Sequence, residues 1–220
     1  MRAALRFIRH TPCLTLLVVQ LLGVVLYPFL QDSAAGSAGR SVFSAFGIVV
    51  LLLTMRALRA TPFFSWFSAL VFGPAVLLLV ASAAVDSDTL LAISAGFESV
   101  LYFYAGVSML AYMLKDEDVT LDEMFAIPAV FTLFAWAFAY LFVVVQEVNP
   151  GAWGDPRPWM DLLFLSFTTL SSTGLSDIVP VTGHARSVIM LEQLAGIFYI
   201  AMVVTRLVAL RTHRQRPPAG

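Results

Sequence analysis

Long apolar runs with almost no charge dominate this chain and leave it few ways to fold. A helix that crosses a bilayer needs about 20 mostly apolar residues at a rise of about 1.5 Å each. Residues 11–31, 63–85 and 124–146 contain no charged side chain. Residues 89–114 and 187–205 contain one each, Glu98 and Glu192. Residues 41–55 are apolar but short, and reach spanning length if Arg56 and Arg59 extend their charged heads to the lipid headgroups. The connectors are too short to be domains. The predicted fold class is an all-α membrane protein with six transmembrane helices.

Composition excludes the soluble alternatives. Charged residues are 12% of the chain, against about 25% in soluble domains. A soluble enzyme, a nucleic-acid-binding domain and a disordered regulator are all incompatible with that scarcity. The formal net charge of −1 offers nothing to a polyanion. Cys13 is the single cysteine, so neither an intrachain disulfide nor a cysteine-based metal site is expected. His10, His184 and His213 lie far apart and have no supporting carboxylate cluster. No resident metal or cofactor is expected.

Lys and Arg set the orientation, because cytoplasmic loops retain positive charge. With the N-terminus inside, the inner side carries Arg2, Arg6, Arg9, Arg56, Arg59, Lys115, Arg206, Arg211, Arg214 and Arg216. The outer side carries Arg40, Arg157 and Arg186. Ten against three places both termini in the cytoplasm. The first run could instead be a signal peptide, with Arg2, Arg6 and Arg9 as its basic region and small residues following at Ala34, Ala35 and Ala38. Its apolar core is longer than the usual h-region of about 7–15 residues, which favours a retained helix.

The connector 147–186 differs in kind. Residues 162–176 are apolar or small and polar, yet too few to cross. Both ends of the connector lie on the outer side. Pro158 suits the start of a helix, and Asp161 then falls in the first turn, where the helix dipole favours negative charge. The helix should fade near Thr169–Ser172, where Ser and Thr compete for backbone hydrogen bonds. The reading is a short helix that enters from outside, followed by a non-helical strand that climbs back. Non-helical backbone at membrane depth survives only when buried in protein or lining water. Unpaired carbonyls can then be satisfied by cations. The helix C-terminus would also favour a cation in a cavity below it.

At this point the residues resemble a known family. Residues 165–186 read "LSFTTLSSTGLSDIVPVTGHAR". The pore domain of the potassium-channel superfamily runs roughly "FSFTTLTTVGYGD" followed by "I.PVT..AR". The last span, "VIMLEQLAGIFYIAMVVTRLVAL", is similar to the inner helix of bacterial two-helix-pore channels, often written "LEA..GQ.YLAVLVARLVGL". The resemblance covers about residues 125–210. It implies a homotetramer in which one filter strand per subunit surrounds an axis, with monovalent cations, potassium or sodium, as the permeant species. The filter maps onto Ser172, Thr173, Gly174, Leu175 and Ser176, and the outer mouth onto Asp177. Gly196 falls at the inner-helix hinge glycine. Three departures matter. Ser172 replaces Thr and keeps a hydroxyl. Leu175 replaces Tyr and loses the phenol that braces the filter. Ser176 replaces a Gly that turns successive carbonyls to the axis through a positive φ, which costs a non-glycine residue about 1 kcal/mol. Potassium selectivity therefore does not simply carry over.

The resulting organisation is a four-helix transmembrane region (1–123), an ion-channel-like pore domain (124–210) and a short basic cytoplasmic tail (211–220), in the plasma membrane of a prokaryote. The fourth span has no Lys or Arg, so voltage sensing is not expected. Each candidate residue also has a plainer reading. Thr168, Thr169, Ser171, Ser172 and Thr173 could be a polar helix seam. Asp177 could be a solvated loop residue. Glu192 could accept hydrogen bonds from the filter or pore helix, or be a protonated or locally paired structural acid. Glu98, without an evident charged partner, fits an interhelical hydrogen bond or an ion-sensitive site. The stretch "KDEDVTLDE" lacks the glycine and spacing of a calcium loop and reads as a solvated linker. The competing functions are a non-conducting channel-derived subunit or scaffold, a secondary transporter and a membrane enzyme. A transporter would be expected to show paired broken helices, and an enzyme a nucleophile–base pair or metal ligands.

Overall fold

The structure is a computed structural model that describes residues 11–33, 49–50, 52–54, 56, 70, 72–78, 81, 88–115 and 121–214. Among these residues there is helix and no strand. The helices with defined ends are α1 (Pro12–Ser33), α2 (Asp88–Lys115), α3 (Leu121–Val148), α4 (Trp159–Leu170) and α5 (Gly183–Arg214). Four are long and apolar enough to cross a membrane: α1, α2, α3 and α5. The two spans expected at 41–55 and 63–85 lie largely outside the described residues.

α3 is the central element. Its small residues Ala126, Ala129, Ala135, Ala137 and Ala139 are buried and let the neighbouring helices approach closely. α2 runs antiparallel to it. The Ser99 hydroxyl donates to the Ala137 carbonyl at 2.9 Å, and Phe103 stands edge-on to Phe138 at 4.8 Å. α1 runs parallel to α3. The Thr132 hydroxyl lies 2.7 Å from the Gln20 amide oxygen, and the Cys13 N–H donates to Asp122 Oδ1 at 3.2 Å. That carboxylate sits where the α1 N-terminus presents its unpaired N–H groups.

These contacts sort the helix ends into two sets. The start of α1, the end of α2, the start of α3 and the end of α5 share one side, since Arg206 on α5 donates to the Leu114 carbonyl at 3.2 Å. Lys115 and Arg206 belong to this side, which the charge asymmetry reads as cytoplasmic. The opposite side carries the end of α3 and the starts of α4 and α5. α1 and α2 therefore have their remaining ends on that opposite side.

The connector from α3 to α4 is pinned onto α3. Gln146 and Arg157 exchange two hydrogen bonds, with Gln146 Nε2 to the Arg157 carbonyl at 3.2 Å and the Arg157 N–H to Gln146 Oε1 at 2.8 Å. The Trp153 indole donates to the Phe142 carbonyl at 3.3 Å. The chain leaving α4 returns to this same region. The Val181 N–H donates to the Ala152 carbonyl at 2.9 Å, and Asn149 Nδ2 to the Thr182 hydroxyl at 3.0 Å. Residues 159–180 thus form a hairpin-like excursion that starts and ends at one end of the bundle. Its helix is about 18 Å long at 1.5 Å per residue, too short to cross.

Candidate functional site

The excursion begins at Pro158, which has φ −65° and ψ 157° and caps α4 from the extended region. Its carbonyl accepts the N–H groups of Asp161 and Leu162. One face of α4, including Leu162, Leu163, Ser166 and Leu170, is fully buried against its neighbours. The helix ends at Leu170, inside the Thr169–Ser172 window expected from its hydroxyl-rich sequence.

The chain leaves α4 through a left-handed cap. Ser172 has φ 60°. Its N–H donates to the Thr169 carbonyl at 3.0 Å, and the Thr173 N–H reaches back to the Thr168 carbonyl at 3.0 Å. This pair is the Schellman pattern, with Ser172 at the position usually held by Gly. The Gly174 N–H also donates to Thr168, at 3.0 Å. The Ser171 hydroxyl donates to the Phe167 carbonyl at 2.6 Å, and the Thr173 hydroxyl to Thr168 at 3.2 Å. The carbonyls of Phe167, Thr168 and Thr169 are therefore occupied by the residues just after the helix.

The cap orients the next carbonyls. In a trans peptide the C=O and the following N–H point in opposite directions, and none of the described bonds is cis. The N–H groups of Ser172, Thr173 and Gly174 all point back to α4. The carbonyls of Ser171, Ser172 and Thr173 consequently point away from it, along a segment whose residues 172–175 are exposed. The run ends at Gly174, whose carbonyl accepts the Ser176 N–H at 3.1 Å.

Two backbone expectations change here. The resemblance mapped the filter onto Ser172 through Ser176; the continuous run of outward carbonyls is Ser171 to Thr173. It also assigned a strained positive φ to Ser176. The positive values fall on Ser172 and Gly174 (φ 65°) instead. The physical reason is the cap: the reversal out of α4 demands a left-handed residue at its C-terminus. Ser176 uses its hydroxyl to accept the Ile178 N–H at 3.1 Å. Leu175 is 75% exposed and does not brace the segment against α4. Because Ser172 carries the left-handed conformation, Ser172→Gly should be tolerated. Ser172→Val, β-branched at a positive φ, should cost about 1–2 kcal/mol more. Thermal unfolding of the two purified variants side by side measures that difference.

Asp177 lies 4.0 Å from the Arg157 guanidinium and is strongly exposed. A pair this open contributes little to stability, about 0–1 kcal/mol. It does place a positive charge beside the acid expected at the outer mouth.

Glu192 and Gly196 meet α4 one turn apart. Glu192 is fully buried, and its Oε1 is hydrogen-bonded to the Ser166 hydroxyl. Ser166 also lies 2.8 Å from the Ala135 carbonyl of α3. Four residues on along both helices, Gly196 packs on the backbone of Leu170. A Cβ there would lie 2.9 Å from the Leu170 carbonyl carbon and closer still to its oxygen. α5 passes through Gly196 as continuous helix. The glycine expected as a hinge is thus required here for close packing.

Comparison with known proteins bears on this part of the chain. Residues 127–212 match the family model described as "Ion channel". This segment is similar to a potassium-channel-type pore domain. The match spans α3 from its seventh residue, the whole excursion and α5 to within two residues of its end. No curated protein and no solved structure matches the chain.

Several side chains that organise the pore domain were not singled out by sequence. Ser166 joins three helices; its only sequence signal is a small polar residue within an apolar helical run. The Tyr199 hydroxyl donates to the Ile127 carbonyl, tying α5 to α3 below Gly196. Arg206 caps α2 from α5. Glu98, which the sequence did single out, lies buried between α2 and α3, 3.3 Å from the Ser94 hydroxyl and near the stacked pair Tyr102 and Tyr140. It lies outside the matched segment. Among the described residues no group of three or more His, Cys, Asp or Glu side chains is placed to hold a metal ion.

Proposed function

We propose that the chain is the subunit of a homotetrameric cation channel, conducting potassium or sodium passively through a central pore. The observation that carries this reading is the run of three outward carbonyls at Ser171, Ser172 and Thr173. One such run offers oxygens from one side only. Four around an axis would form a cage that replaces part of a cation's hydration shell. Ser172, Thr173, Gly174, Leu175 and Ser176 would form the narrow segment, with Asp177 concentrating cations at the outer mouth against the opposing charge of Arg157. The exposed apolar side chains of α5, among them Leu191, Leu194 and Phe198, supply surface for neighbouring subunits and lipid. No covalent step belongs to this mechanism, so the protein is not read as an enzyme. The charge asymmetry supports both termini in the cytoplasm, and the resemblance to bacterial two-helix-pore channels supports the plasma membrane of a prokaryote.

A second reading, a non-conducting channel-derived subunit, draws on the Gly174 carbonyl, which Ser176 occupies rather than leaving it to an ion. Native mass measurement with cation flux from proteoliposomes separates the two. Tetramers that pass cations are the expected result. A stable monomer would remove the basis of a central pore, and tetramers without flux would favour the second reading.

A further inference from the structure

Between α4, α3 and α5, the Ser166 hydroxyl has two oxygen neighbours. One is the Ala135 carbonyl, 2.8 Å away and able only to accept. The other is Glu192 Oε1. A hydroxyl has one proton to donate. If Ser166 gives it to Ala135, the proton between Ser166 and Glu192 must come from Glu192. Burial points the same way. Glu192 has no accessible surface, its Oε2 has no hydrogen-bond partner, and among the described residues no basic side chain pairs with it. An ionised carboxylate would sit there with neither a counter-charge nor a full set of donors.

We infer that Glu192 works as a neutral carboxylic acid, donating its proton to Ser166 and thereby seating the pore helix between α3 and α5. The sequence reading offered Glu192 as an acceptor from the filter or pore helix or as a protonated or locally paired structural acid; the donor sense departs from the first and sharpens the second. The donor chain is Glu192 to Ser166 to Ala135, and it crosses three helices. Ser166 lies one turn before Leu170, and the capped segment starts immediately afterwards. Glu192 is a positioning residue: it touches no ion, and it sets where the outward carbonyls stand.

The test uses the full-length protein and two substitutions. In Glu192→Gln the amide is neutral and still donates to Ser166; in Glu192→Ala nothing does. Infrared difference spectra between the unaltered protein and Glu192→Gln read the protonation state directly. Loss of a carboxylic-acid carbonyl band is expected, and loss of a carboxylate band would overturn the inference. This measurement does not require a conducting protein, so it stands apart from the proposed channel function, on which only the flux measurement rests. In proteoliposomes Glu192→Gln should keep cation flux within about threefold of the unaltered protein, the scale of one exchanged neutral hydrogen bond. Glu192→Ala should lose it. Equal loss in both variants would also overturn the inference. If Glu192→Ala does not fold, the Glu192→Gln spectrum and flux still decide.

Discussion

Replacing Gly196 with Ala should abolish cation flux and lower the thermal stability of the assembled protein. Ala is the better helix former by about 1 kcal/mol, so propensity alone predicts the reverse. The obstacle is steric. The new Cβ would lie 2.9 Å from the carbonyl carbon and 3.1 Å from the Cα of Leu170. Both are backbone atoms of the last turn of α4, which cannot turn aside as a side chain can. Relief requires α4 and α5 to separate, and that shifts Ser171, Ser172 and Thr173 directly. Overpacking of this kind costs about 1–3 kcal/mol. Gly183→Ala is the control. It lies on the same helix, and a Cβ there meets nothing within 4 Å. Flux and melting temperature for the two variants check the prediction. A Gly196→Ala protein as stable and as conductive as the Gly183→Ala protein would show that the contact with Leu170 does not seat the pore helix.

The second large effect concerns selectivity. A bi-ionic reversal potential should give a potassium-to-sodium permeability ratio within about threefold of unity, because discrimination needs several ordered carbonyl sites. Three consecutive carbonyls point away from α4, and the fourth, Gly174, is engaged by the Ser176 N–H at 3.1 Å. The outer half of the narrow segment would therefore hold a partly hydrated ion. Leu175, exposed and without a hydroxyl, cannot tether that half to the pore helix. Ser176 closes the turn further by accepting the Ile178 N–H. The double change Leu175→Tyr with Ser176→Gly removes that acceptor and restores a phenol, so the ratio should rise toward potassium. A strongly potassium-selective original protein would refute the argument, since it would show that the Gly174 carbonyl is available to ions. An unchanged ratio in the double variant would place selectivity in the inner three carbonyls alone.

Much of the architecture was legible without coordinates. Apolar runs at 11–31, 89–114, 124–146 and 187–205 coincide with helices: α1 starts one residue later and ends two later, α2 and α3 extend one to three residues at each end, and α5 runs nine residues further at its C-terminus. α5 starts four residues before its expected span because Thr182 caps it, accepting the Ala185 N–H at 3.4 Å. The end of α4 was legible from its Ser and Thr residues, and the pore-domain resemblance from the order of motif, flank and inner helix. The site's inner geometry was not. Ser176 was the plausible place for strain, because comparison with a glycine-containing pattern drew attention to it. The left-handed residue is Ser172, which no composition rule singles out.

The amino-acid sequence by itself determined that this is a membrane chain, where α1, α2, α3 and α5 run and where the short helix must stop. These follow from hydropathy, charge and local backbone preference, which act between residues close in the chain. Only the tertiary structure decided that Glu192 meets Ser166, 26 positions away, and that Gly196 rests on Leu170. It likewise decided that the carbonyls of Ser171 to Thr173 share one direction. Hydrogen-bond direction and backbone contact depend on how α3, α4 and α5 cross. A crossing is set by the packing of all three together, which no one segment encodes.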